Sequence, residues 1–477
     1  MVFSSATFLT AFLPIAILGY YMLKKKYRNL FLFIISLFFY GWGEPKFIFC
    51  MLASIIANYG FAILIDKSRE KKLSQLILVC MLVFNISLLF IFKYLNFFIQ
   101  NINAIFSANI TQTKIVLPIG VSFFTFQAIS YVIDVYRGDG EVQKNPLNVG
   151  LYIAFFPQLI AGPIVRYQTI ADQIKNRKET FDDFCAGICR FIVGLSKKAI
   201  LANTMAIVAD RALLYTNQSD LSVGFAWLGA IAYTFQIYFD FCGYSDMAIG
   251  LGKMFGFRFS ENFNYPYTSK SITEFWRRWH ISLSSWFRDY VYIPMGGSRA
   301  VTKKRRIFNL FVVWLLTGVW HGANWTFVVW GLFYFVLLII EKELNIVNRL
   351  NTKWKSYGYQ IFTILAVIIS WVIFASPNLK GAIGYISTMF GVSGNQLIDA
   401  NAKMNFVEFG MMYIICIIAS CPVVNLTKNA AKKYAGENLL IIGTSRAIIY
   451  VIYVVLFLVS IAYCIHSSYN PFIYFNF

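Results

Sequence analysis

The chain alternates long apolar segments with short clusters of basic residues. A helix needs about 20 apolar residues to cross roughly 30 Å of hydrocarbon. The clearest apolar segments lie at about residues 6–23, 29–43, 46–65, 75–98, 223–243, 323–340, 358–376, 407–424 and 443–465. With the less regular segments between them, the pattern predicts an all-α, polytopic membrane protein of about 11 to 13 membrane segments.

Two segments in the first half of the chain are apolar but contain helix breakers. Residues 115–137 include Pro118, Gly120 and an acid, Asp134. Residues 151–167 contain Pro157, Gly162 and Pro163. Proline removes a backbone donor and clashes with the preceding turn. Membranes accept interrupted helices where the backbone is buried in protein or lines a wet cavity. We therefore expect re-entrant or broken helices here, and simple kinked spans are the alternative.

The basic clusters indicate which loops face the cytoplasm. They are Lys24–Arg28, Lys67–Lys72, Arg166–Lys178, Lys303–Arg306 and Lys428–Lys433. Cytoplasmic loops are enriched in Lys and Arg. The first two clusters therefore place the loops after the first and third helices inside, and alternation leaves both termini extracytoplasmic. The first segment lacks a basic leader and a small-residue cleavage site, which favours a retained helix over a signal peptide.

Composition narrows the function classes. Hydrophobic residues make up 58% of the 477 residues, against about 45–50% in soluble domains. The formal charge of +20 does not indicate nucleic-acid binding, because the basic residues lie in short clusters between apolar segments rather than along one face of a soluble domain. Cys185 and Cys189 have a helical spacing, but no histidine or acid cluster accompanies them, so no metal site is expected. We predict a single integral membrane domain over residues 1–477, with a core at about 115–340 and an aromatic tail at 467–477.

Candidate chemistry concentrates in residues 271–330. Two of the three histidines, His280 and His321, lie there, and His321 interrupts an apolar run. An imidazole has an ordinary pKa of about 6.5 and can exchange a proton near neutrality. Ionisable groups at membrane depth are costly and are usually functional. We expect His321 to be the centre of the chemistry.

Two acids precede this stretch. Asp240 and Asp246 lie among aromatic residues and glycines. Two carboxylates at membrane depth suggest an internal polar pathway. The alternative is that they neutralise Arg258 or Lys253 and hold loops together.

Several long motifs resemble one family in order along the chain. They are PIGVSFFTFQAISYVIDVYRG, FFPQLIAGPIVRY, DFCGYSDMAIGLGKMFGFRFSENFNYPY, SITEFWRRWHISLSSWFRDYVYIPMGGSR and LTGVWHGANWTFVVWG. The chain resembles the membrane-bound O-acyltransferases, and most closely their bacterial branch that O-acetylates alginate or peptidoglycan. The teichoic acid D-alanyl transferases are a more distant resemblance, and the IPMGGSR segment favours the acetyl-transferring branch.

The resemblance implies a fold and an activity. The fold is a ring of helices around a thin centre, with funnels from both membrane faces. The activity is acetyl transfer from a cytoplasmic donor to an extracytoplasmic polysaccharide, completed by an outer SGNH, serine-hydrolase-like partner. Acetyl-coenzyme A is the expected donor, with an acyl carrier protein as the alternative, and no permanently bound cofactor is expected. The expected location is the bacterial inner membrane.

The resemblance also assigns residues. His321 aligns with the family's essential histidine, and His280 with its second one. A positioned histidine base contributes about 10² to 10⁴ in rate. We expect Gly318 and Gly322 to let substrate approach the backbone of His321, and Trp320 and Trp325 to exclude water.

The surroundings of His280 leave two interpretations open. His280 either orients the donor or holds an ion-paired loop. Arginine side chains suit a phosphate-bearing donor, and the candidates for donor binding or support are Arg277, Arg278, Arg288, Asp289, Asp240, Asp246, Trp320 and Asn324.

The tail carries a further candidate, Tyr474. Similar aromatic endings in these acyl-transfer systems are proposed to carry the acyl group on the tyrosine phenol. A phenol becomes a good nucleophile once a base such as His321 removes its proton. The alternative is an aromatic residue that anchors the last helix at the interface.

A different function class also fits part of the pattern. A transporter or flippase would use intramembrane acids and broken helices to line a path. Transporters often contain inverted repeats, and no repeat is evident here. The sequence leaves open which polysaccharide is modified, and D-alanyl transfer is a further alternative.

Overall fold

A computed structural model describes residues 1–68, 72–213, 220–299, 302–392, 394–423, 439–466 and 472–473. The described residues form helices joined by loops, and no strand occurs among them. The helices of the first half are α1 (Leu13–Met22), α2 (Lys25–Gly43), α3 (Ile48–Lys67), α4 (Lys72–Leu89), α5 (Leu95–Phe106), α6 (Val121–Arg137), α7 (Pro146–Ala154), α8 (Phe156–Leu159), α9 (Tyr167–Asn176), α10 (Phe181–Ser196) and α11 (Asn203–Leu213). Those of the second half are α12 (Val223–Met254), α13 (Ile272–Arg278), α14 (Ile281–Phe287), α15 (Lys303–His321), α16 (Trp325–Glu343), α17 (Ile346–Arg349), α18 (Lys353–Ala375), α19 (Leu379–Met389), α20 (Ala400–Ala419) and α21 (Leu439–His466).

Seven helical segments in the described part of the chain are long and apolar enough to cross a membrane. They are Pro45–Lys67, Lys72–Phe106, Phe181–Leu213, Trp325–Glu343, Lys353–Ala375, Ala400–Ala419 and Ala447–His466. A shorter apolar helical segment covers Phe8–Met22. The prediction of an all-α polytopic membrane protein is confirmed. The count of 11 to 13 segments and the ring arrangement stay predictions.

The described residues form two compact units. The first unit contains Met1–Phe191 and Tyr244–Glu261, and the second contains Ile192–Gly243 and Asn262–Ile473. The chain therefore crosses between the units within α10 and again within α12. The prediction of a single membrane domain stays a prediction.

The breaks predicted in the first half occur in the first unit. Helix α6 is bounded by two glycines in the left-handed region, Gly120 at φ 77° and Gly138 at φ 79°. Helix α7 ends at Ala154, and Pro157 lies in the first turn of the short α8, where its missing N–H costs nothing. Irregular backbone follows up to Arg166. The interpretation as broken helices is confirmed.

Helix α12 is longer than the expected span, because it continues from residue 243 to Met254. Glycines explain how this stretch packs. In the first unit, a Cβ at Gly250 would lie 2.6 Å from the carbonyl oxygen of Gly187 on α10. In the second unit, a Cβ at Gly243 would lie 2.7 Å from the carbonyl oxygen of Gly194, also on α10. These glycines allow two helix backbones to meet, and they do not end the helix.

Candidate active site

Helix α13 is fixed at its first turn by two acceptors. The Ser271 hydroxyl accepts a hydrogen bond from the N–H of Glu274 at 3.1 Å. The carboxylate of Glu341, at the end of α16, accepts from the N–H groups of Ile272 and Thr273, each at 2.9 Å. The first N–H groups of a helix have no partner within the helix. Glu341, which is 1% exposed, therefore ties α13 to a membrane-spanning helix.

Replacing Glu341 with alanine is expected to destabilise the protein by several kcal/mol, since each buried donor left unsatisfied costs about 1–3 kcal/mol. Glu341→Gln keeps an acceptor oxygen and should lose less. The measurement is thermal unfolding in detergent. The matched control is Glu343→Ala, because Glu343 forms a partly exposed ion pair with Lys303. Equal losses for Glu341→Ala and Glu343→Ala would contradict the capping role.

His280 joins α13 to α14 in a strained conformation. Its backbone has φ 43° and ψ 54°, in the left-handed region, and its side chain is 1% exposed. Its Nδ1 lies 3.1 Å from Oδ1 of Asn262. Burial lowers the pKa of the imidazole below its ordinary value. His280 is therefore a buried imidazole whose charged form is disfavoured, and both interpretations of its role stay predictions.

His321 is the last residue of α15, and an extended Gly322 follows it. Its side chain is 4% exposed. Three aromatic rings meet it edge-on: Trp320 at 5.0 Å, Trp330 at 5.0 Å and Phe374 at 5.2 Å between ring centroids. An edge-on aromatic wall excludes water and lowers the local dielectric, which strengthens electrostatic interactions at the site.

One indole contacts both histidines. The ring centroid of Trp320 lies 6.2 Å from that of His280 and 5.0 Å from that of His321. The two histidines, 41 positions apart in sequence, thus meet the same side chain. The structure brings together the two residues that the sequence singled out.

The expected role of the glycines near His321 is wrong. A Cβ at Gly318 would lie 2.5 Å from the carbonyl oxygen of Phe327, and a Cβ at Gly322 would clash with the Phe327 ring. The space is filled by α16, so these glycines allow α15 and α16 to pack closely rather than admitting a substrate. Trp325, expected to exclude water, is 52% exposed at the start of α16.

Asp240 is held by a buried ion pair and by the tail. Its Oδ1 lies 2.6 Å from Nζ of Lys198, and its Oδ2 accepts a hydrogen bond from the N–H of Ile473 at 2.7 Å. Lys198 lies in the π-helical turn Lys197–Ala202 between α10 and α11. The next tail residue, Tyr474, lies outside the described residues.

The tail reaches the environment of His280 through aromatic rings. The ring of Phe472 lies 6.0 Å from that of Phe241, and Phe241 meets His280 edge-on at 4.6 Å. Asp240 therefore holds Ile473, and the ring of the adjacent Phe472 is separated from His280 by one aromatic ring.

Asp246 belongs to the first unit. Its Oδ1 lies 2.6 Å from Nη2 of Arg190, which also pairs with Glu261. The expected partners Arg258 and Lys253 are not the ones found: Arg258 pairs with Asp183. Asp246 and Asp240 thus both form ion pairs, and their partners, Arg190 and Lys198, lie on the preceding helical segment.

Among the five charged residues near His280 in sequence, four form two local ion pairs. Arg278 contacts Glu274 at 2.8 Å, Arg288 contacts Asp289 at 2.6 Å, and Arg277 is exposed. Donor binding by these residues stays a prediction.

Asn324 has a structural position. Its Oδ1 accepts from the N–H of Thr326 at 3.1 Å at the start of α16, and its Nδ2 donates to the carbonyl of Pro377 at 2.8 Å. Asn324 is therefore the N-cap of α16, which begins after the break at Gly322.

Three residues at the site were not identified from sequence: Asn262, Lys198 and Glu341. Lys198 and Glu341 lie next to or inside apolar segments, which is itself the signal for a buried partner. Asn262 gave no such signal, because asparagine is common in loops.

Comparisons with known proteins agree with this architecture. Residues 142–380 match the model of the family described as MBOAT, membrane-bound O-acyltransferase. A probable alginate O-acetylase, AlgI, of Pseudomonas putida is 40% identical over the full length of both chains. A peptidoglycan O-acetyltransferase of Helicobacter pylori is 33% identical over 100% of this chain and 98% of its own. A teichoic acid D-alanyltransferase of Bacillus subtilis is 33% identical over 53% of this chain and 65% of its own. The chain belongs to the membrane-bound O-acyltransferase family.

Proposed function

We propose that this acyltransferase takes an acetyl group from acetyl-coenzyme A on the cytoplasmic side and passes it outward for O-acetylation of an extracytoplasmic polysaccharide. The observation that carries the proposal is the pair of buried imidazoles, His280 and His321, that contact one indole, Trp320. Acyl transfer to a hydroxyl needs a base that removes a proton in a site from which water is excluded. The buried, aromatic surroundings of His321 in the second unit support this proposal.

Acetyl rather than D-alanyl transfer is favoured by the extent of similarity. Relatives named for alginate or peptidoglycan O-acetylation match along the whole chain, whereas a relative named for D-alanyl transfer matches 53% of it. The proposed location is the bacterial inner membrane with both termini extracytoplasmic, and the proposed partner is an SGNH, serine-hydrolase-like protein outside the membrane.

The proposed first step transfers the acetyl group to Tyr474. The phenol oxygen attacks the thioester carbonyl carbon, a C–O bond forms and the C–S bond breaks. The phenol proton passes to a ring nitrogen of His321 and then to the departing sulfur, which gives coenzyme A as its thiol. The hydrogen bond from Ile473 to Asp240 supports the proposal, because it places the described end of the tail in the unit that contains His280 and His321.

The second step returns the phenol to its starting state. A serine hydroxyl of the outer partner attacks the ester carbonyl of acetyl-Tyr474 and takes the acetyl group, and the serine proton returns to the phenol oxygen. The partner then transfers the acetyl group to a polysaccharide hydroxyl.

Acetyl-coenzyme A labelled in the acetyl group tests the first step with purified protein in vesicles. We expect donor consumption and a label on Tyr474 that Tyr474→Phe abolishes. The matched control is Tyr463→Phe, because Tyr463 is a partly exposed tyrosine of the last helix, α21, and should keep the label. Label transfer only from a D-alanyl-loaded carrier protein, or solute flux without donor consumption, would refute the proposal.

A further inference from the structure

Asn262 lies at the centre of a small buried network. It is 1% exposed. Its Oδ1 accepts hydrogen bonds from the backbone N–H of Ser282 at 3.2 Å and from the Ser282 hydroxyl at 2.8 Å. The same oxygen lies 3.1 Å from Nδ1 of His280. The backbone carbonyl of Asn262 also accepts from the N–H of Ile281 at 2.9 Å. Side chain and backbone together hold Asn262 against the start of α14.

This network determines which nitrogen of His280 carries the proton. The oxygen and nitrogen of an asparagine amide are normally assigned from their partners. A backbone N–H can only donate, so the amide atom that faces Ser282 is the oxygen. The Ser282 hydroxyl, whose Oγ lies 3.5 Å from Nδ1, donates its proton to that same oxygen, so Nδ1 of His280 approaches the oxygen as a donor. Neutral imidazole carries one proton, which leaves Nε2 with its lone pair.

The backbone of His280 indicates that the imidazole is needed at this place. Left-handed backbone costs a residue with a Cβ on the order of 1 kcal/mol or more. Glycine or asparagine would make the same turn between α13 and α14 with less strain. Strain of this kind is characteristic of functional sites. With histidine at this position the backbone is strained, and the imidazole ring is held in a fixed place.

The groups packed around His280 agree with a neutral ring. Phe241 and Trp320 meet its ring. The charged or titratable groups next to these rings are the Asp240–Lys198 pair beside Phe241 and His321 beside Trp320. On its own segment the preceding charges are Arg277 and Arg278. Because burial lowers its pKa, His280 stays neutral at cytoplasmic pH, and its tautomer then decides what Nε2 can do.

We infer that Asn262 is a positioning residue, which holds His280 as the Nδ1–H tautomer so that Nε2 accepts a hydrogen bond from a substrate O–H or N–H. The inference rests on the acyl transfer proposed above. In the other tautomer, Nε2 would carry the proton and present a donor where an acceptor is required. In serine proteases, loss of the group that fixes the tautomer lowers kcat by about 10⁴-fold.

The first test does not depend on activity. Exchange of the imidazole C2 hydrogen, followed by mass spectrometry against pH, gives the pKa of each histidine in the purified protein. In Asn262→Asp, a carboxylate faces the Nδ1–H and favours the charged ring. We expect the pKa of His280 to rise by more than one unit, while the pKa of His466 is unchanged. An unchanged His280 would overturn the inference.

The second test measures acetyl transfer as a function of pH. Asn262→Leu should lower kcat at least about tenfold at every pH, with a small effect on KM, because the tautomer is no longer fixed. Asn262→Asp should recover activity at alkaline pH. Nε2 of His280 accepts a hydrogen bond only while it is unprotonated, so a raised pKa moves the acidic limb of the profile to higher pH. Equal loss in both variants at all pH values would overturn the inference.

A buried asparagine outside the network serves as the control. Asn309 is fully buried on α15 and donates to the carbonyl of Met295 at 3.1 Å. Asn309→Leu should match Asn262→Leu in thermal stability but keep the wild-type pH profile. If wild-type protein transfers no acetyl group, the proposed function fails, whereas the exchange experiment still decides whether Asn262 faces Nδ1 of His280.

Discussion

Replacing His321 with alanine is expected to lower the rate of acetyl transfer by about 10² to 10⁴, the usual contribution of a positioned general base. The ring is 4% exposed and lies within 5.2 Å of three aromatic ring centroids. A water molecule that enters the space left by alanine would find indole and phenyl walls, and it is a far weaker base than imidazole. The measurement is acetyl release from labelled acetyl-coenzyme A per mole of protein that elutes as a single peak in detergent.

The chain offers a matched control for this substitution. His466 is the exposed last residue of α21, and His466→Ala should leave the rate unchanged. His321→Gln fills most of the space without a basic nitrogen and should be as inactive as His321→Ala. Activity of the glutamine variant near the wild-type value would show that His321 has a packing role and no role as a base.

Replacing Asp240 with alanine is expected to destabilise the second unit by about 3–5 kcal/mol, since removing one partner of a buried ion pair leaves the other charge uncompensated. The side chains of Lys198 and Asp240 are 6% and 3% exposed. The substitution also removes the acceptor for the N–H of Ile473. We expect a lower unfolding temperature in detergent together with loss of labelling at Tyr474.

A second, exposed ion pair serves as a control that distinguishes the effect of burial from the effect of pairing. Arg211 and Glu408 are 41% and 49% exposed and 3.1 Å apart. Glu408→Ala should cost at most about 1 kcal/mol, the range for exposed pairs. The double variant Lys198→Met with Asp240→Asn removes both charges but keeps an acceptor oxygen, so it should recover stability and the docked tail. Equal losses of stability in Asp240→Ala and Glu408→Ala would contradict the assignment of Lys198 and Asp240 as a stabilising buried ion pair.

Local pattern was sufficient to predict the helices. Apolar segments of about 20 residues predict α3, α16, α18 and α20 because each must cover its length of hydrocarbon. The break near Pro157 follows from the missing N–H of proline. Such effects act within a few residues of chain, and a single sequence contains all that they depend on.

Contacts between distant segments were not predictable in the same way. The partner of Asp240 was expected within the following loop, yet it is Lys198 on the preceding helical segment. The glycines beside His321 look the same in sequence whether a substrate or Phe327 fills the space. The rotation and tilt of a helix decide which neighbour a buried charge or a glycine faces. Packing sets this rotation and tilt, and local sequence does not.

The proximity of His280 and His321 was only partly predictable from the sequence. Their motifs marked both residues, but only the position of Trp320 shows that one side chain joins them. His321 ends α15 and His280 precedes α14. Because the two residues lie on different elements, no helical spacing rule predicts that they come close together.

Glu341 connects the segment before His280 to a candidate membrane span. The carboxylate belongs to a helix that is long and apolar enough to cross a membrane, and it accepts hydrogen bonds from the first two amides of the helix that ends two residues before His280. Two hydrogen bonds therefore link the position of α16 to the short helix that carries the chain toward this imidazole.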